Sequence, residues 1–250
     1  MFQAKTQKIE ALAKVYSDRI EELDLIFNAP TNVYIDYANV RPWSEKLKWH
    51  VDPKRLKQLL DSFSNIKSVK FYAGELKGDE QSEEAIKDYT RIFKDGLKTK
   101  PVKIMQLPIN VSSIPPNDPA ILKDFIRRPL LEKLTIETIQ SLNAELGKLN
   151  QQDIYSLEDR KCNFDVEIGT DMSLDLERNN AEVFILWSGD SDFADPISKI
   201  LDADKRVYLF ATARRVATEL NALTTKGLAI FDIQKITDFI CWPREMPLKI

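Results

Sequence analysis

The apolar positions of this chain change their spacing at Pro30. Beyond it, short and nearly continuous apolar runs predict β-strands, and the stretches between them repeat apolar residues every three or four positions, which predicts helices. The predicted strands cover residues 33–35, 69–73, 102–107, 183–187, 207–210 and 228–230, and the predicted helices cover residues 53–63, 80–97, 193–201, 216–223 and 233–240. Apolar strands that alternate with helices are typical of a mostly parallel sheet with helices on both faces. We therefore predict an α/β domain over residues 31–240.

Residues 1–28 follow a different pattern. Their apolar residues recur at spacings of four and three, which predicts one amphipathic helix over residues 4–27. The members of this stripe are Ile9, Ala13, Tyr16, Ile20, Leu23 and Phe27. The stripe is expected to pack either on the chain's own domain or on the same helix of a second copy, since this spacing also suits coiled coils. The second alternative would make the protein a homodimer through its N-terminal helix.

Residues 110–158 interrupt the alternation of strands and helices. Three prolines within residues 115–119 predict a stiff connector, and an apolar stripe after Pro129 predicts a helix. The members of this stripe are Leu131, Leu134, Ile139, Leu142, Leu146 and Leu149. We interpret the segment as an α-helical insertion rather than a separate domain, because about 30 helical residues are too few for an independent core. Residues 241–250 are predicted to form a C-terminal tail.

Composition narrows the classes of function. The chain has 36 basic and 39 acidic residues and a net charge of −3. This balance excludes a globally basic nucleic-acid coat but leaves a local basic groove open. One histidine, His50, and two cysteines, Cys162 and Cys241, are too few for a zinc site built from histidines or cysteines. The sequence contains no Gly-x-Gly and no Gly-Lys-Ser/Thr, which excludes a dinucleotide fingerprint and a Walker A loop.

Nothing in the sequence points to a membrane. The first twenty residues are charged every few positions and lack the apolar core of a signal peptide. No stretch approaches the roughly 18 uncharged apolar residues that a spanning helix needs. We therefore expect no membrane partner and a cytoplasmic location, which also fits the low cysteine content.

Acidic residues follow two of the most apolar predicted strands. Asp36 ends the run at 33–35, and Asp190 and Asp192 follow the run at 183–187. Because the carboxyl ends of parallel strands meet at one edge of a sheet, these acids are expected to lie close together there. Each acid taken alone also fits the cap of a helix or the start of a turn.

A third acidic segment starts at Lys161 and contains Asp165 and Asp171. Asp165 falls in the first turn of the helix predicted for this segment, where a negative charge also favours the helix dipole. Asp171 lies six positions later, about 120° around the helix axis. It is therefore expected to face away from Asp165, and it ranks below the other acids as a site residue.

Carboxylates gathered at one sheet edge need a compensating charge. Two of them about 4 Å apart repel by roughly 4 kcal/mol at an effective dielectric near 20. Protons, a lysine such as Lys161, or a divalent cation would relieve this repulsion. Oxygen ligands without histidine or cysteine favour Mg²⁺ or Mn²⁺, and such a site binds phosphate oxygens and activates water for in-line attack.

Three segments, in the order VYIDYANV, KCNFDVEIGTD and FILWSGDSDFADPI, resemble the NYN domains of the PIN-like nuclease superfamily, in particular the LabA-like branch. The resemblance covers about residues 31–232, without the N-terminal helix and the insertion. It implies a Rossmann-like three-layer α/β/α fold and metal-dependent cleavage of RNA. By position, it implies that Asp36, Asp165, Asp190 and Asp192 hold the metal, with Asp171 in support. It further implies that Asn39 completes the catalytic set and, with Ser188, orients the pocket.

The chain departs from the family pattern at two positions. Tyr37 stands where a small residue is usual, and it is expected to narrow the pocket or to stack on a base. Trp187 stands where an aliphatic residue is usual, and it is expected to be core.

Basic residues supply further candidates for substrate binding. Lys161 and the pair Arg214 and Arg215, which follows the strand at 207–210, are expected to contact RNA phosphates. The lysines within residues 98–103 are interpreted as a solvated face.

The leading hypothesis is a Mg²⁺- or Mn²⁺-dependent endoribonuclease that cuts single-stranded or structured RNA. The alternative is a non-catalytic scaffold that binds RNA or protein with the same fold. A phosphatase of the haloacid-dehalogenase type would need a second aspartate two positions after Asp36, where the chain has Ala38.

Overall fold

The computed structural model describes residues 1–212 and 216–241, apart from the side chains of Glu45 and Lys46. Within these residues the strands are β1 Thr31–Asp36, β2 Ile66–Glu75, β3 Leu97–Pro101, β4 Lys103–Pro108, β5 Ser156–Lys161, β6 Val183–Trp187, β7 Arg206–Ala211 and β8 Ala229–Asp232. The α-helices are α1 Gln7–Val15, α2 Ser17–Ile26, α3 Tyr37–Val40, α4 Ser44–Leu47, α5 Pro53–Leu60, α6 Glu80–Phe93, α7 Arg128–Leu131, α8 Ile136–Asn150, α9 Asp165–Glu177, α10 Ala194–Asp202, α11 Thr218–Ala222 and α12 Thr237–Ile240. No helix among the described residues is long and apolar enough to cross a membrane.

A six-stranded parallel sheet organises the chain, with the strand order β3-β2-β1-β6-β7-β8. Every residue of the two central strands, β1 and β6, is buried. The chain runs outward from β1 through β2 to β3, returns to β6, and runs outward again through β7 to β8. The direction therefore reverses between β1 and β6, and open α/β sheets bind their ligands at such a switch point.

Helices cover both faces of this sheet. On one face, the rings of Phe71 in β2 and Phe93 in α6 stack with their centroids 4.1 Å apart. On the other face, the hydroxyl group of Tyr34 in β1 donates a hydrogen bond to Asp175 in α9. The predicted three-layer α/β/α architecture with a mostly parallel sheet is confirmed.

The N-terminal segment forms two helices, so the single helix predicted over residues 4–27 is wrong. α1 ends at Val15, because the backbone of the next residue, Tyr16, leaves the helical region (φ −118°, ψ 53°). The ring of Tyr16 packs on that of Phe239. Most of the apolar stripe packs within the chain, with Ile9, Ile20, Leu23 and Phe27 buried. The structure thus uses the stripe within its own domain. A homodimer through these helices stays a prediction, and it would have to use the exposed side chains of Val15 and Leu25.

The third strand of the sheet is not the one predicted at residues 102–107. It is β3, and the predicted helix over residues 80–97 ends earlier, at Phe93. The sequence of β3, LKTKP, carries little apolar signal because this strand lies at the sheet edge. The turn that leads into β3 requires Gly96, since a Cβ at this position would overlap the carbonyl group of Val69.

The insertion is larger and less helical than predicted. Residues Val102–Lys161 form a second compact unit, whereas residues 110–158 were expected to be an α-helical insertion inside one domain. This unit contains the antiparallel pair β4 and β5 in addition to α7 and α8. Asn143 of α8 ties the proline-rich connector in place, because its amide group donates hydrogen bonds to the carbonyl groups of Pro116 and Asp118. Of the tail predicted over residues 241–250, only Cys241 belongs to the described residues.

Polar contacts around Lys70, here called the polar layer, add to the hydrophobic packing between α9 and the sheet. The Oδ2 atom of the buried Asp175 accepts hydrogen bonds from the Tyr34 hydroxyl (2.6 Å), Lys70 Nζ (2.9 Å) and Asn32 Nδ2 (3.0 Å). Burial disfavours the charge of this carboxyl group, but the hydrogen bonds from Tyr34, Lys70 and Asn180 outweigh it and hold the pKa of Asp175 below its usual value. The negative charge of Asp175 therefore fastens α9 to β1 and β2.

Replacing Asp175 with asparagine is expected to lower the free energy of unfolding at pH 7 by about 1–3 kcal/mol, because Lys70 loses a buried carboxylate partner. The folded-state pKa of Asp175 lies below its unfolded value near 3.9. Its contribution is therefore complete above the unfolded pKa and is lost as the pH falls through the folded pKa. Urea unfolding across this pH range measures both effects.

Glu177→Gln, on an exposed position of the same helix, is the control and should change stability by no more than about 0.5 kcal/mol. An Asp175→Asn variant as stable as the wild type at pH 7 would contradict the proposed role of the polar layer.

Candidate active site

Asp36 lies at the carboxyl end of β1, where the most buried part of the sheet meets solvent. Its side chain is almost fully buried, at 4% exposure, although aspartate is rarely buried without a partner. It caps α3, because its Oδ1 atom accepts a hydrogen bond from the backbone N–H of Asn39 at 3.2 Å. The local capping role is thus real. A cap needs no burial, however, so capping alone does not account for this position.

Ser188 and Asn39 connect the ends of the two central strands. The Ser188 hydroxyl donates a hydrogen bond to Oδ2 of Asp36, and Oδ1 of Asn39 accepts one from the backbone N–H of Gly189, each at 3.2 Å. The backbone N–H of Asp190 in turn donates to the Ser188 hydroxyl oxygen at 3.3 Å. These three bonds fix the end of β1 relative to the loop that carries Asp190.

Asp165 and Asp190 lie close enough to Asp36 to act on its charge. The pKa of Asp36 is raised to about 6. Burial is the largest cause and the charges of Asp165 and Asp190 add to it, whereas the hydrogen bonds from Asn39 and Ser188 lower it. The pKa of Asp165 is also raised, first by burial and then by the charges of Asp190 and Asp192, against a hydrogen bond from Asn163. The acidic cluster, defined as Asp36, Asp165, Asp190 and Asp192, is therefore an assembly of mutually repelling groups.

Asp165 carries an unsatisfied oxygen in this cluster. It starts α9, and its Oδ2 atom is buried without a hydrogen-bond partner. A buried carboxylate oxygen without a donor is costly, and it calls for a group that the protein itself does not supply.

Asp171 lies apart from this unsatisfied oxygen and has its own partners. It accepts a hydrogen bond from the Tyr72 hydroxyl at 2.6 Å and lies 3.5 Å from Lys70 Nζ. The helical geometry that ranked it below the other acids agrees with this placement. Asp171 belongs to the polar layer that anchors α9.

The two residues that depart from the family pattern pack within the protein. The ring of Tyr37 packs on those of Phe71 (4.8 Å) and Tyr89 (5.5 Å), on the opposite face of the sheet from α9. Trp187 is fully buried, as expected, and its ring lies against that of Phe210. Tyr37 therefore contributes to an aromatic cluster beside α6.

The predicted phosphate-binding residues are Lys161, Arg214 and Arg215. Lys161 is exposed and pairs with Asp159 at 3.1 Å within the second compact unit. Arg214 and Arg215 lie outside the described residues.

The donor set fits a hydrated Mg²⁺ or Mn²⁺ ion better than a closed protein cage. Among residues 1–212 and 216–241, no three histidine, cysteine, aspartate or glutamate side chains are placed to hold a metal together. Mg²⁺ usually keeps several waters and takes one or two carboxylates together with substrate phosphates. The unsatisfied oxygen of Asp165 and the raised pKa of Asp36 are what such an ion would compensate.

Several residues around the site were missed from the sequence. Lys70 and Tyr72 anchor α9, and the Cys162 thiol lies within electrostatic reach of Asp36. A signal was present in β1, because the sequence TNVYID places Asn32, Tyr34 and Asp36 on one face of the strand. A polar face on a fully buried strand indicates a polar layer that leads to the site.

The acidic cluster stands at the switch point of the sheet, its members repel each other, and one carboxylate oxygen has no donor. A comparison with curated proteins gives no match. The chain is similar to a solved structure of a protein of unknown function from Vibrio parahaemolyticus, with 15% identity, a TM-score of 0.48, and coverage of 85% of this chain and 95% of that one.

The family model for the NYN domain matches residues 30–226, which is most of the chain. NYN domains are generally ribonucleases, and they typically use divalent metals. With this match and the three-layer fold, the chain belongs to the NYN domain family.

Proposed function

We propose that this protein is a metal-dependent endoribonuclease whose reaction takes place at the acidic cluster. One observation carries the proposal: the buried carboxyl group of Asp36 has its pKa raised to about 6 by burial and by the neighbouring charges of Asp165 and Asp190. Burial of a carboxylate beside other negative charges lowers the stability of the fold. A group kept under this cost at the ligand-binding edge of a sheet is a candidate for function.

The four acids would hold a hydrated Mg²⁺ or Mn²⁺ ion, one or two of them directly and the others through its water molecules. Asp165 would offer it an oxygen that has no hydrogen-bond partner. When bound, the ion supplies positive charge for the phosphate and lowers the pKa of a water molecule. Asn39 and Ser188 keep Asp36 fixed through their hydrogen bonds. The polar layer around Lys70, which includes Asp171, holds the start of α9 and therefore Asp165 in place.

The expected substrate is RNA, single-stranded or structured, cut by water rather than by the ribose 2′-hydroxyl. Attack by the 2′-hydroxyl needs an acid–base pair at the scissile phosphate. The only histidine of the chain, His50, lines a cavity of about 830 Å³ together with Tyr37 and Tyr89, beside α5 and α6. None of the four acids lines this cavity, so His50 is not placed beside the acidic cluster to supply such a pair. We therefore expect attack by water, which leaves 5′-phosphate and 3′-hydroxyl ends.

A scaffold that binds RNA or protein without cleaving it is the second candidate. It is favoured by the lack, among the described residues, of three ligands already placed to hold a metal. Metal binding distinguishes the two candidates, because a scaffold has no need for it.

Replacing Asp36 with asparagine is expected to stabilise the metal-free protein at pH 7 by up to about 2 kcal/mol. The folded-state pKa of Asp36, about 6, lies above its unfolded value near 3.9, so the protonated form is favoured in the folded state. Its stabilising effect is complete below the unfolded pKa and is lost as the pH rises through about 6. Thermal unfolding in chelator from pH 4 to 8 should show this loss in the wild type and not in Asp36→Asn. If the variant unfolds at pH 7, Asp36 is a structural partner instead.

Mn²⁺ binding is expected in the wild type at pH 7, and its affinity should fall as the pH drops below about 6, because Asp36 must be ionised to act as a ligand. Asp36→Asn and Asp190→Asn should each weaken binding by about tenfold or more. Asp195→Asn, an exposed acid on the neighbouring helix α10, is the matched control and should bind normally. Isothermal titration calorimetry measures all four proteins. A wild type that does not take up Mn²⁺ would favour the scaffold.

Purified protein with Mg²⁺ or Mn²⁺ is expected to cut RNA internally, and chelation should stop the reaction. The products should carry 5′-phosphate and 3′-hydroxyl ends, which ligation and phosphatase treatment identify. Asp190→Asn should lose the activity, and Asp195→Asn should keep it. Cleavage at the wild-type rate by Asp190→Asn would place the reaction at another site or in a contaminant.

A further inference from the structure

Lys100 stands at the same edge of the sheet as the acidic cluster. It is the penultimate residue of β3, which runs parallel to β1 in the six-stranded sheet. Lys98, two positions earlier, pairs with Tyr72 of β2, so Lys100 lies on the α9 side of the sheet as Tyr72 does. The position opposite Lys100 on β2 is Gly74, which has no side chain to cover it.

The first turn of α9 holds the ammonium group of Lys100. Its Nζ atom lies 2.7 Å from Oε1 of Glu167 and 4.6 Å from the centroid of the Phe164 ring. Phe164 and Glu167 flank Asp165 on either side in the sequence, so the ammonium group is bound to the same helical turn that brings Asp165 into the cluster. The cation–π contact with Phe164 is a second attachment of the ammonium group to this turn.

The Cys162 thiol lies between the end of β3 and the start of α9 in the chain's contacts, next to the backbone of Lys100. Its sulfur lies 3.9 Å from the Lys100 carbonyl oxygen. Burial raises the pKa of this thiol, Lys100 lowers it, and Glu167 and Asp36 raise it. The charges of Lys100 and of Asp36 therefore act on one atom.

The pair of Lys100 with Glu167 is easily exchanged. The side chains of Lys100 and Glu167 are 33% and 46% exposed, and an ion pair at such exposure is worth little net free energy. An ammonium group has three donors, and Glu167 is the carboxylate that pairs with it here. Exchange of Glu167 for a phosphate therefore costs little.

On the basis of the proposed nuclease function, we propose that Lys100 binds an RNA backbone phosphate next to the one that is cut. In the absence of RNA, Glu167 holds the ammonium group and competes with that phosphate. A phosphate contact of this kind positions the strand across the acidic cluster and does not read its bases. Lys100 would thus have the phosphate-binding role that we expected of Lys161, whose ammonium group pairs with Asp159.

The test measures RNA affinity and its dependence on salt, in the full-length chain with Asp190→Asn as background so that no RNA is consumed. A fluorescein-labelled 12-nucleotide single-stranded RNA is titrated in Mg²⁺ by anisotropy, at several NaCl concentrations from 50 to 300 mM. Lys100→Gln is expected to weaken binding by about 3–10-fold at 100 mM NaCl and to reduce the slope of log affinity against log salt by about 0.7, the value for one phosphate of a single strand. Lys100→Arg should restore the slope, which a merely structural role would not predict.

Two further variants test the competition with Glu167. Glu167→Gln should strengthen binding by about 2–5-fold, because it releases Lys100 and removes a negative charge from the phosphate path. Most of this gain should disappear in the double variant with Lys100→Gln. Lys98→Gln is the matched control, an exposed lysine on the same strand, and should bind within about twofold of its parent.

An unchanged affinity and salt slope in Lys100→Gln, an equal loss in Lys98→Gln, or weaker binding in Glu167→Gln would each overturn the assignment of Lys100. If the wild-type protein still cuts RNA in a metal-dependent reaction, the proposed function survives that failure. A wild type that neither binds nor cuts RNA refutes the proposed function, and the assignment of Lys100 with it.

Discussion

Repulsion between carboxylates at the end of β1 and β6 is the constraint on which the site depends. The two strands are buried along their whole length, so they cannot shift to let the acids move apart. Hydrogen bonds from the Asn39 backbone and from Ser188 hold Asp36 in place and offset part of the cost of its burial. They do not remove it, since the pKa of Asp36 is still raised. The cost of burying Asp36 beside other acids is thus built into the sheet.

The polar layer below the cluster shows the opposite solution to the same problem. Lys70 lies within 3.5 Å of Asp171 and 2.9 Å of Asp175, so these acids have their own cation. The pKa of Asp175 is accordingly lowered, whereas the pKa values of Asp36 and Asp165 are raised. Two acids of the same helix, α9, therefore differ because of their partners. Asp175 anchors the helix through Lys70, whereas Oδ2 of Asp165 has no hydrogen-bond partner. This division is typical of sites in which environment separates the roles of like residues.

The sequence predicts the parts of this arrangement that depend on local patterns. The apolar runs identify β1 and β6, and the acids at their ends follow from the geometry of a parallel sheet. The edge strand β3 was missed because LKTKP resembles a loop, and the break at Tyr16 was missed because both helices share one apolar stripe. Lys100 was interpreted as part of a solvated face, since its partner Glu167 lies 67 positions away in the chain. Pairings across such distances leave no periodic signal.

The net charge of −3 also bears on how RNA would reach the acidic cluster. A chain with little long-range attraction for RNA depends on local contacts, and the cluster itself repels phosphate as long as it holds no cation. In the proposed nuclease, uptake of a divalent ion would relieve the repulsion among the acids and reduce the negative charge that an approaching phosphate meets. If the proposed function holds, metal and RNA would strengthen each other's binding, by the same factor in both directions. Burial of Asp36 destabilises the fold, and the same burial makes this coupling strong, because charges interact more strongly where water is excluded.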